Sequence, residues 1–491
     1  MIAFILNNQD ISTNLPTGQT VLDFVRYRQN LKGTKIGCRE GDCGACTMLV
    51  GELVGDEVKY RTMTSCLMPL ANAAGKHIVT VEGINPEDGS LTPVQQAMVD
   101  ENGTQCGFCT VGFVMSVTGF CIDDTAKTPE MAVSSIDGNI CRCTGYKSIE
   151  RAAKSVCRQL AVGGKQFVPK RFDKIGARLE ALRVGPGQTR TANRRPVVGG
   201  GTDVYVQRPD ELVDTDATHV FYDDALRGIR DTGDFIEIGA SATVTDLLES
   251  PIMQSAFPDL YKHLKLVSST PIRNMATLAG NFVNASPIGD MTVWFLALDT
   301  EIELSEPSAS AGGQLRTLKL RDFYLGYKQL AKEPDEIITA VRFRKPGSEF
   351  YFNFEKVCKR TYLDIATVNT AISLHVETTP GEGWMPPVLS EPGAVAKGKL
   401  SKLDHFITNA HVSAGGVAPV PLYLKETSSF LIGRRINGET IEKANKIIQA
   451  EISPISDVRG TEVYKRLLLR QLFRAHFVEM FATELTEIAE S

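Results

Sequence analysis

Three cysteines lie within ten residues in the stretch GCREGDCGACT, which runs from residue 37 to 47. Cys38, Cys43 and Cys46 are followed by Cys66, and this C-x4-C-x2-C…C spacing suits a [2Fe–2S] cluster. Glycine takes positive φ without steric cost, so Gly37, Gly41 and Gly44 are expected to turn backbone amides towards the cluster sulfurs. A structural zinc site is the alternative, but zinc usually uses paired C-x2-C motifs. The spacing therefore favours an iron–sulfur cluster.

A second group of cysteines follows as C-x2-C in QCGFCT and C-x-C in NICRCTGY. Either pair alone is a weak signal, because C-x2-C also occurs in redox dithiols and zinc sites. Together they supply four thiolates for a second cluster, each pair at the start of a predicted helix whose N–H groups favour an anion. The four are Cys106, Cys109, Cys141 and Cys143. Three more cysteines have no partner at metal-binding spacing and are expected to be buried, inert thiols: Cys121, Cys157 and Cys358.

Two downstream segments carry residues suited to phosphate binding. The first, PVVGGGTDV, is a glycine-rich turn that begins at Pro196, and the second, ATLAGNFVNASPIGD, ends at Asp290. Glycine permits close approach of the backbone to a pyrophosphate, and threonine and asparagine can donate hydrogen bonds to it. Each segment alone is ambiguous, since many such turns only reverse the chain. Asp290 also fits the N-cap of a helix beginning at Met291.

The elements that position these residues change in character along the chain. Residues 1–85 hold short β-like runs and one helix with Thr20 as N-cap, whereas residues 90–162 are helical, with a capping box at Thr92. Ser148 is the predicted N-cap of the last of these helices. A basic linker precedes an α+β pattern, and beyond about residue 350 two strand-like runs precede a helix predicted over 462–483.

The bulk composition excludes some classes of function. The chain has 491 residues and a formal net charge of -5, without the basic stripe of a nucleic-acid-binding protein. No apolar run approaches the roughly 20 residues of a membrane span, and the N-terminus lacks the features of a signal peptide. A cytoplasmic location is therefore expected, with no membrane or nucleic-acid partner. In a reducing compartment, clustered cysteines are expected to bind metal rather than form disulfides.

The motifs GCREGDCGACT, QCGFCT and GNICRCTGY, in this order, resemble the two iron–sulfur domains of the xanthine dehydrogenase/xanthine oxidase family of molybdenum hydroxylases. The two phosphate-binding segments resemble the flavoprotein domain of the same family. The region from about 352 to 488, with DIATVNTAISL and SAGGVAP, resembles the C-terminal flavoprotein domain of carbon monoxide dehydrogenase-like enzymes.

The resemblance implies a multidomain α+β fold. A β-grasp ferredoxin-like domain is expected over 1–85 and a four-helix [2Fe–2S] domain over 86–163, followed by a linker over 164–174. An α+β FAD-binding domain of the vanillyl-alcohol-oxidase type is expected over 175–347. An α/β C-terminal flavoprotein domain is expected over 350–491.

The resemblance also implies the cofactors and their ligands. The eight cysteines of the two sets would hold two [2Fe–2S] clusters, and FAD would lie with its diphosphate on the two glycine-containing segments. No residue is expected to be catalytic, because the cofactors carry the chemistry. The expected FAD contacts are Val197, Val198, Gly199, Gly200, Gly201, Thr202, Asp203, Val204, Thr277, Leu278, Ala279, Gly280, Asn281, Asn284 and Asp290.

The implied function is electron transfer in an oxidoreductase of the xanthine dehydrogenase type. The 491 residues leave no room for a molybdopterin-binding region, which is expected on a partner chain, in a heterodimer or a dimer of heterodimers. Electrons from that molybdenum centre would pass through both clusters to FAD and then NAD, in the oxidation of hypoxanthine and xanthine to urate. The same role in a hydroxylase of aldehydes or N-heterocycles is the alternative, and a non-catalytic redox sensor or scaffold is a remote one.

Overall fold

The computed structural model describes residues 1–162, 167–182, 196–215, 217–305, 315–360, 363–380 and 403–481. Its elements form four successive regions, which together give the multidomain α+β fold that the sequence predicts. Among the helices of these residues, none combines the length and apolar character needed to cross a bilayer.

The first region is a five-stranded sheet of the β-grasp type. The strand order is β2-β1-β5-β3-β4, with β1 and β5 parallel and the other three pairs antiparallel. The predicted N-cap is confirmed, because the Thr20 hydroxyl accepts the Asp23 N–H at the start of the helix, which continues as a π-helical turn. The elements are β1 (Ile2–Leu6), β2 (Gln9–Thr13), α1 (Val21–Asp23), β3 (Thr47–Val54), β4 (Glu57–Thr64) and β5 (His77–Val79).

The second region is helical. The predicted capping box is confirmed: the Thr92 hydroxyl accepts the Gln95 N–H, and the Gln95 side chain accepts the Thr92 N–H. The prediction of Ser148 as N-cap is wrong, because the Tyr146 carbonyl accepts the Glu150 N–H and the helix begins before Ser148. The elements are α2 (Val81–Ile84), α3 (Pro93–Asp100), α4 (Thr110–Ile122), α5 (Pro129–Ser134) and α6 (Lys147–Val162).

The predicted linker is packed against the first two regions wherever it is described. Phe167 and Phe172 are buried in the core of the helical region. Helix α7 (Ile175–Ala181) follows, and its Ile175 packs with Ile5 of the first sheet. The aromatic side chains explain this packing, since their burial removes a large apolar area from water.

The third region combines a five-stranded antiparallel sheet, ordered β11-β10-β14-β9-β8, with eight short helices and two strand pairs. Its core is aromatic, with the rings of Phe257 and Trp294 4.7 Å apart. The elements are β6 (Val197–Val198), α8 (Val204–Gln207), α9 (Pro209–Val213), β7 (Thr218–His219), β8 (Ile229–Asp231), β9 (Phe235–Gly239), α10 (Val244–Glu249), α11 (Pro251–Ala256), α12 (Leu260–Leu264), α13 (Thr270–Arg273), α14 (Leu278–Asn284), α15 (Asp290–Leu296), β10 (Glu301–Ser305), β11 (Arg316–Lys319), β12 (Tyr324–Gly326), β13 (Gln329–Leu330) and β14 (Ile337–Arg344).

The fourth region is an antiparallel sheet, ordered β15-β16-β17-β18, that packs between helices. One face meets α16, α17 and α18, and the other meets α15 of the third region. The helix predicted over 462–483 is confirmed up to Phe481, and the last two predicted residues lie outside the described chain. The elements are β15 (Phe350–Val357), β16 (Val368–Pro380), β17 (Leu403–Gly415), β18 (Leu422–Tyr423), α16 (Lys425–Leu431), α17 (Gly438–Glu451) and α18 (Glu462–Phe481).

Candidate iron–sulfur and flavin sites

The first cysteine set consists of two close pairs. The Cys38 N–H donates to Cys43 Sγ over 3.4 Å, and a hydrogen bond between these thiols lowers the pKa of Cys38 to about 5 while raising that of Cys43. A thiol–thiol hydrogen bond likewise lowers the pKa of Cys46 and raises that of Cys66. The Gly41 amide, in the loop between Cys38 and Cys43, hydrogen bonds to the Cys66 thiol, so both pairs lie around one loop.

Backbone amides surround these sulfurs, as the glycine pattern predicts. The Glu40 N–H donates to Cys38 Sγ over 3.3 Å, in the loop where Gly41 and Gly44 have φ of 81° and 65°. Gly37 differs from the prediction because its φ is not positive. A Cβ at Gly37 would lie 2.5 Å from Cys43 Sγ, so this glycine provides space for a sulfur. Amides aimed at sulfur stabilise thiolates, the form that binds metal.

The second cysteine set also consists of pairs, and it lies nearer to the surface. The Sγ atoms of Cys106 and Cys143 are 3.7 Å apart, and both residues are exposed. Cys109 and Cys141 share a thiol–thiol hydrogen bond. Burial raises the pKa of Cys109 to about 12, whereas for Cys141 the effect of burial is outweighed by hydrogen bonds from Thr144 that lower its pKa.

Each cysteine pair of this set is predicted to begin a helix, and only the Cys106–Cys109 motif does so. Cys109 is the N-cap residue of α4, as expected for a thiolate ligand at a helix N-terminus. Cys141 and Cys143 instead precede α6 by several residues, because Thr144, Gly145 and Tyr146 form a turn. In that turn, the Thr144 N–H and hydroxyl donate to Cys141 Sγ over 3.4 and 3.1 Å.

The pairing distinguishes a two-iron cluster from a single metal ion. Within the described ranges, no three side chains of the types His, Cys, Asp and Glu gather closely enough to hold one metal ion. A structural zinc needs four ligands around one centre, whereas a [2Fe–2S] cluster divides four thiolates between two irons. The grouping of each set into two pairs is the arrangement that a [2Fe–2S] cluster requires.

The two sets are joined through the backbone. The Ile140 N–H, next to Cys141, donates to the Cys43 carbonyl over 3.0 Å. The Asn139 amide donates to the Gly44 carbonyl over 3.2 Å. A Cβ at Gly44 would lie 2.3 Å from the Gly138 carbonyl oxygen, so the two loops approach as closely as glycine allows.

The first of the two segments predicted to bind phosphate forms a turn whose backbone amides have no acceptor among the described residues. No backbone N–H of residues 199–202 donates to another described residue. Consecutive unpaired amides form an anion-binding nest. Gly200 and Gly201 allow the turn to lie against its neighbours, since their Cβ atoms would be 1.7 Å from the Met275 carbonyl oxygen and 2.5 Å from that of Leu67. These glycines thus serve packing, in addition to the approach to phosphate expected from the sequence.

The second segment meets this turn at Thr277. The Thr277 hydroxyl accepts the Gly280 N–H over 3.2 Å and caps α14. A Cβ at Gly199 would lie 2.9 Å from the same hydroxyl. Asn281 is directed elsewhere, because its side-chain oxygen accepts the Thr292 N–H and hydroxyl at the start of α15. Of the predicted residues, Gly199 and Gly280 are therefore brought together at Thr277.

Asn284 and Asp203 also lie close together. Asn284 accepts hydrogen bonds from Gln207 over 2.8 Å and Lys328 over 3.0 Å, and it hydrogen bonds Asp203. Burial raises the pKa of Asp203 despite these neighbours. Asn284 thus connects both phosphate-binding segments to strand pair β12–β13.

Asp290 belongs to a different contact from the one expected. It is the first residue of α15, whose N-cap is Gly289, so the N-cap alternative is wrong. Its carboxylate accepts from Lys356 Nζ and Asn369 Nδ2, each over 2.6 Å. The Lys356 side chain is 1% exposed, so this is a buried ion pair between the third and fourth regions. No hydrogen bond joins Asp290 to the nest in the part of the chain described.

Several residues of the site have no local sequence signal. Asn139 stands within GNICRCTGY, but its bond to Gly44 depends on a contact across 95 positions. His219 pairs with Val198 in the strand before the nest, and burial lowers its pKa to about 4. Neither ring nitrogen of His219 has a partner among the described residues. A histidine inside a short β-like run gave no reason to single it out.

Four family models match successive parts of the chain. They are the 2Fe-2S iron-sulfur cluster binding domain over 4–71, the [2Fe-2S] binding domain over 80–154, the FAD binding domain in molybdopterin dehydrogenase over 186–345, and the CO dehydrogenase flavoprotein C-terminal domain over 393–480. In this order, the two [2Fe–2S] domains and the flavin domain match a small iron–sulfur/FAD subunit of the molybdenum hydroxylase family.

The relatives are longer proteins. Xanthine dehydrogenase 1 of Arabidopsis thaliana is 26% identical across 94% of this chain and 38% of its own length, and xanthine dehydrogenase of Emericella nidulans is 27% identical across 85% and 34%. The chain thus spans well under half of these relatives. Among solved structures, Cu,Mo-CO dehydrogenase is 26% identical with a TM-score of 0.48, covering 58% of this chain and 88% of its own.

Proposed function

We propose that this chain conducts electrons in a xanthine dehydrogenase, from a molybdenum centre on a partner chain through two [2Fe–2S] clusters to FAD and then to NAD. The observation that carries the proposal is the grouping of eight cysteines into four pairs within two linked sites. The substrate class, purines, rests on the names of the relatives, which are xanthine dehydrogenases.

The ligands follow from the pairing. Each pair provides the two thiolates of one iron, so Cys38/Cys43 and Cys46/Cys66 hold one cluster. Cys106/Cys143 and Cys109/Cys141 hold the other. The amides of Glu40 and Thr144, already directed at sulfur, hold these loops in shape and tune the reduction potentials.

FAD is proposed to bind with its diphosphate on the nest of residues 199–202 and the N-terminus of α14 around Thr277. The unpaired amides of the nest supply the donors that a diphosphate requires. FAD, when bound, accepts electrons singly from a cluster and releases them as a pair to NAD. The other predicted contacts, residues 197–204 and 278–284, are proposed to line this site, except for Asn281, whose side-chain oxygen accepts from Thr292. Asp290 is proposed to support the site through its ion pair with Lys356.

The exposure of the cysteines supports a direction of transfer. Cys106 and Cys143 are exposed, so the second cluster lies where a molybdopterin-binding partner can approach. The backbone beside Cys66 lies against the nest, because the Leu67 carbonyl oxygen fills the space of a Gly201 side chain. The second cluster is therefore the entry point, and the first cluster delivers electrons to FAD.

The test uses the purified chain with and without its partner. The chain alone is expected to contain both clusters and FAD, and to oxidise NADH with an artificial acceptor but not xanthine. The complex with a molybdopterin-binding chain is expected to oxidise xanthine. Iron at half the amount of two clusters, zinc in its place, or xanthine turnover by the chain alone would contradict the proposal. The proposal also includes a cytoplasmic location and domain boundaries after residues 85, 163, 174 and 347.

A further inference from the structure

An ion pair closed off from solvent joins the helical region to the flavin region. Arg273 Nη2 lies 2.8 Å from Asp137 Oδ2, and the two side chains are 5% and 4% exposed. Asp137 Oδ1 also accepts the Thr270 N–H over 2.9 Å, at the start of α13. The N-cap residue of α13, Ser269, makes no side-chain cap bond, so a carboxylate from another region takes that role.

Both terminal nitrogens of Arg273 also donate hydrogen bonds within the third region. Nη1 donates to the carbonyls of Val267 and Ser268 over 3.1 and 2.6 Å, and Nη2 donates to the Thr270 hydroxyl over 2.7 Å. Protein acceptors therefore occupy both terminal nitrogens of the guanidinium. A buried ion pair contributes little net stability compared with apolar residues of similar size, so its value lies in the geometry that it specifies.

The residues after Asp137 lead directly to the cysteines. A Cβ at Gly138 would lie 2.9 Å from Ser269, so this residue packs against the flavin region. Asn139 and Ile140 then bond to the carbonyls of Gly44 and Cys43, and Cys141 follows. Five consecutive residues thus connect the ion pair to both cysteine sets.

The residues around Arg273 lead to the nest in the same way. The Ile272 side chain lies 2.7 Å from the position of a Cβ at Gly41, in the first cysteine loop. The Asn274 amide donates to the Thr62 carbonyl over 2.7 Å. The Met275 carbonyl contacts Gly200 of the nest. The ion pair therefore lies where the distances between both cysteine sets and the nest are fixed together.

We infer that Asp137 and Arg273 are positioning residues for electron transfer: the pair sets the spacing between the loop of Cys141, the loop of Cys43 and the flavin-binding nest. This inference rests on the proposed function. Electron transfer falls steeply with distance, so a shift of the Gly138–Cys141 segment slows transfer without removing a ligand.

Asp137→Asn tests the inference in the full chain loaded with iron and FAD. The amide keeps the size of the carboxylate but removes its charge. Flash reduction by a photogenerated viologen radical, followed at cluster and flavin wavelengths, is expected to show flavin reduction slowed by about tenfold or more. The magnetic interaction between the reduced clusters, seen by electron paramagnetic resonance, is expected to change, while iron and FAD contents stay those of the wild type.

Asp124→Asn is the matched control, because Asp124 also joins the helical region to another region, through Lys59, but its side chain is 85% exposed. It is expected to leave rate and spectrum unchanged. Wild-type transfer and spectrum in Asp137→Asn would overturn the inference, as would loss of iron or FAD in proportion to the rate. If Asp137→Asn does not fold, Thr270→Val is used instead, because it removes only the hydroxyl that orients Arg273. An unchanged rate of flavin reduction in Thr270→Val would also overturn the inference. A wild type without iron or FAD would overturn the proposed function instead.

Discussion

The two cysteine sets provide the same number of sulfurs but differ in how exposed their cysteines are. Cys46 and Cys66 lie in the hydrophobic core of the first region, with 2% and 4% exposure. Cys106 and Cys143 are exposed on the helical region. The first set therefore has two of its four cysteines in the core of its region, whereas the second set has only Cys141 there, with Cys109 packed against that core. A site inside a core is coupled to folding, and a site at the surface is free to meet a partner.

Replacing one cysteine ligand in each set is expected to give the largest difference between the two regions. Cys46→Ser is expected to remove the cluster of the first set and to unfold the β-grasp region, because metal binding there is coupled to folding. Cys143→Ser is expected to remove only the other cluster. Each variant should keep about half the iron. Paramagnetic resonance identifies the lost cluster, and hydrogen exchange in β1 and β5 reports unfolding. Equal protection of these strands in both variants would contradict the comparison.

A substitution in the flavin region is expected to leave both iron–sulfur clusters in place. Asp290→Ala leaves Lys356 buried without its counterion and is expected to destabilise the third and fourth regions by roughly 3–5 kcal/mol. Both cluster signals should persist. Thermal unfolding and flavin content are the measurements. Glu439→Ala, which breaks an exposed pair with Lys443, is the control and is expected to leave both unchanged. Loss of flavin at unchanged thermal stability would instead make Asp290 a cofactor contact.

Low pH is expected to destabilise the first iron–sulfur region more than the second. His77 lies in the β-grasp core, where burial lowers its pKa from 6.5 to about 4, and no histidine occurs between residues 86 and 163. Since the unfolded chain takes up the proton first, the first region loses stability as the pH falls from 6.5 to about 4, by about 3 kcal/mol in total. The loss is expected to level off below the folded pKa.

Hydrogen exchange in β5 and α6 across this pH range is the measurement. His77→Gln removes the titrating group and should flatten the dependence in β5. An equally steep dependence in that variant would assign the effect to carboxylates rather than to His77.

The smallest expected effect is confined to the helical region. Thr92→Ala removes the capping box of α3 and is expected to cost about 1 kcal/mol. Both clusters should remain, because the core around Cys141 is intact. Ser90→Ala, two residues earlier and outside the helix, is the control. Denaturant unfolding followed by far-ultraviolet circular dichroism measures the difference, and a loss of the second cluster would show that its site depends on α3.

Local chemistry was predictable from the sequence, whereas contacts between regions were not. The caps at Thr20 and Thr92 depend on residues three positions apart, so the pattern alone identifies them. The cysteine sets have characteristic spacing within short segments. Asp137 and Arg273 are 136 positions apart, and neither stands in a motif. Asp290 shows the same limit, because its local context indicates a helix N-terminus and gives no sign of Lys356.

The carboxylate of Asp137 at the start of α13 has a consequence for the order in which the protein is assembled. The first turn of α13, in the flavin region, receives its side-chain acceptor from the helical region, and Asp137 is the ion-pair partner of Arg273 in the described part of the chain. Synthesis delivers the iron–sulfur regions first, because they are N-terminal. Maturation is thus expected to proceed from iron to flavin: a cell starved of iron should accumulate chains that also lack FAD, even where FAD is abundant.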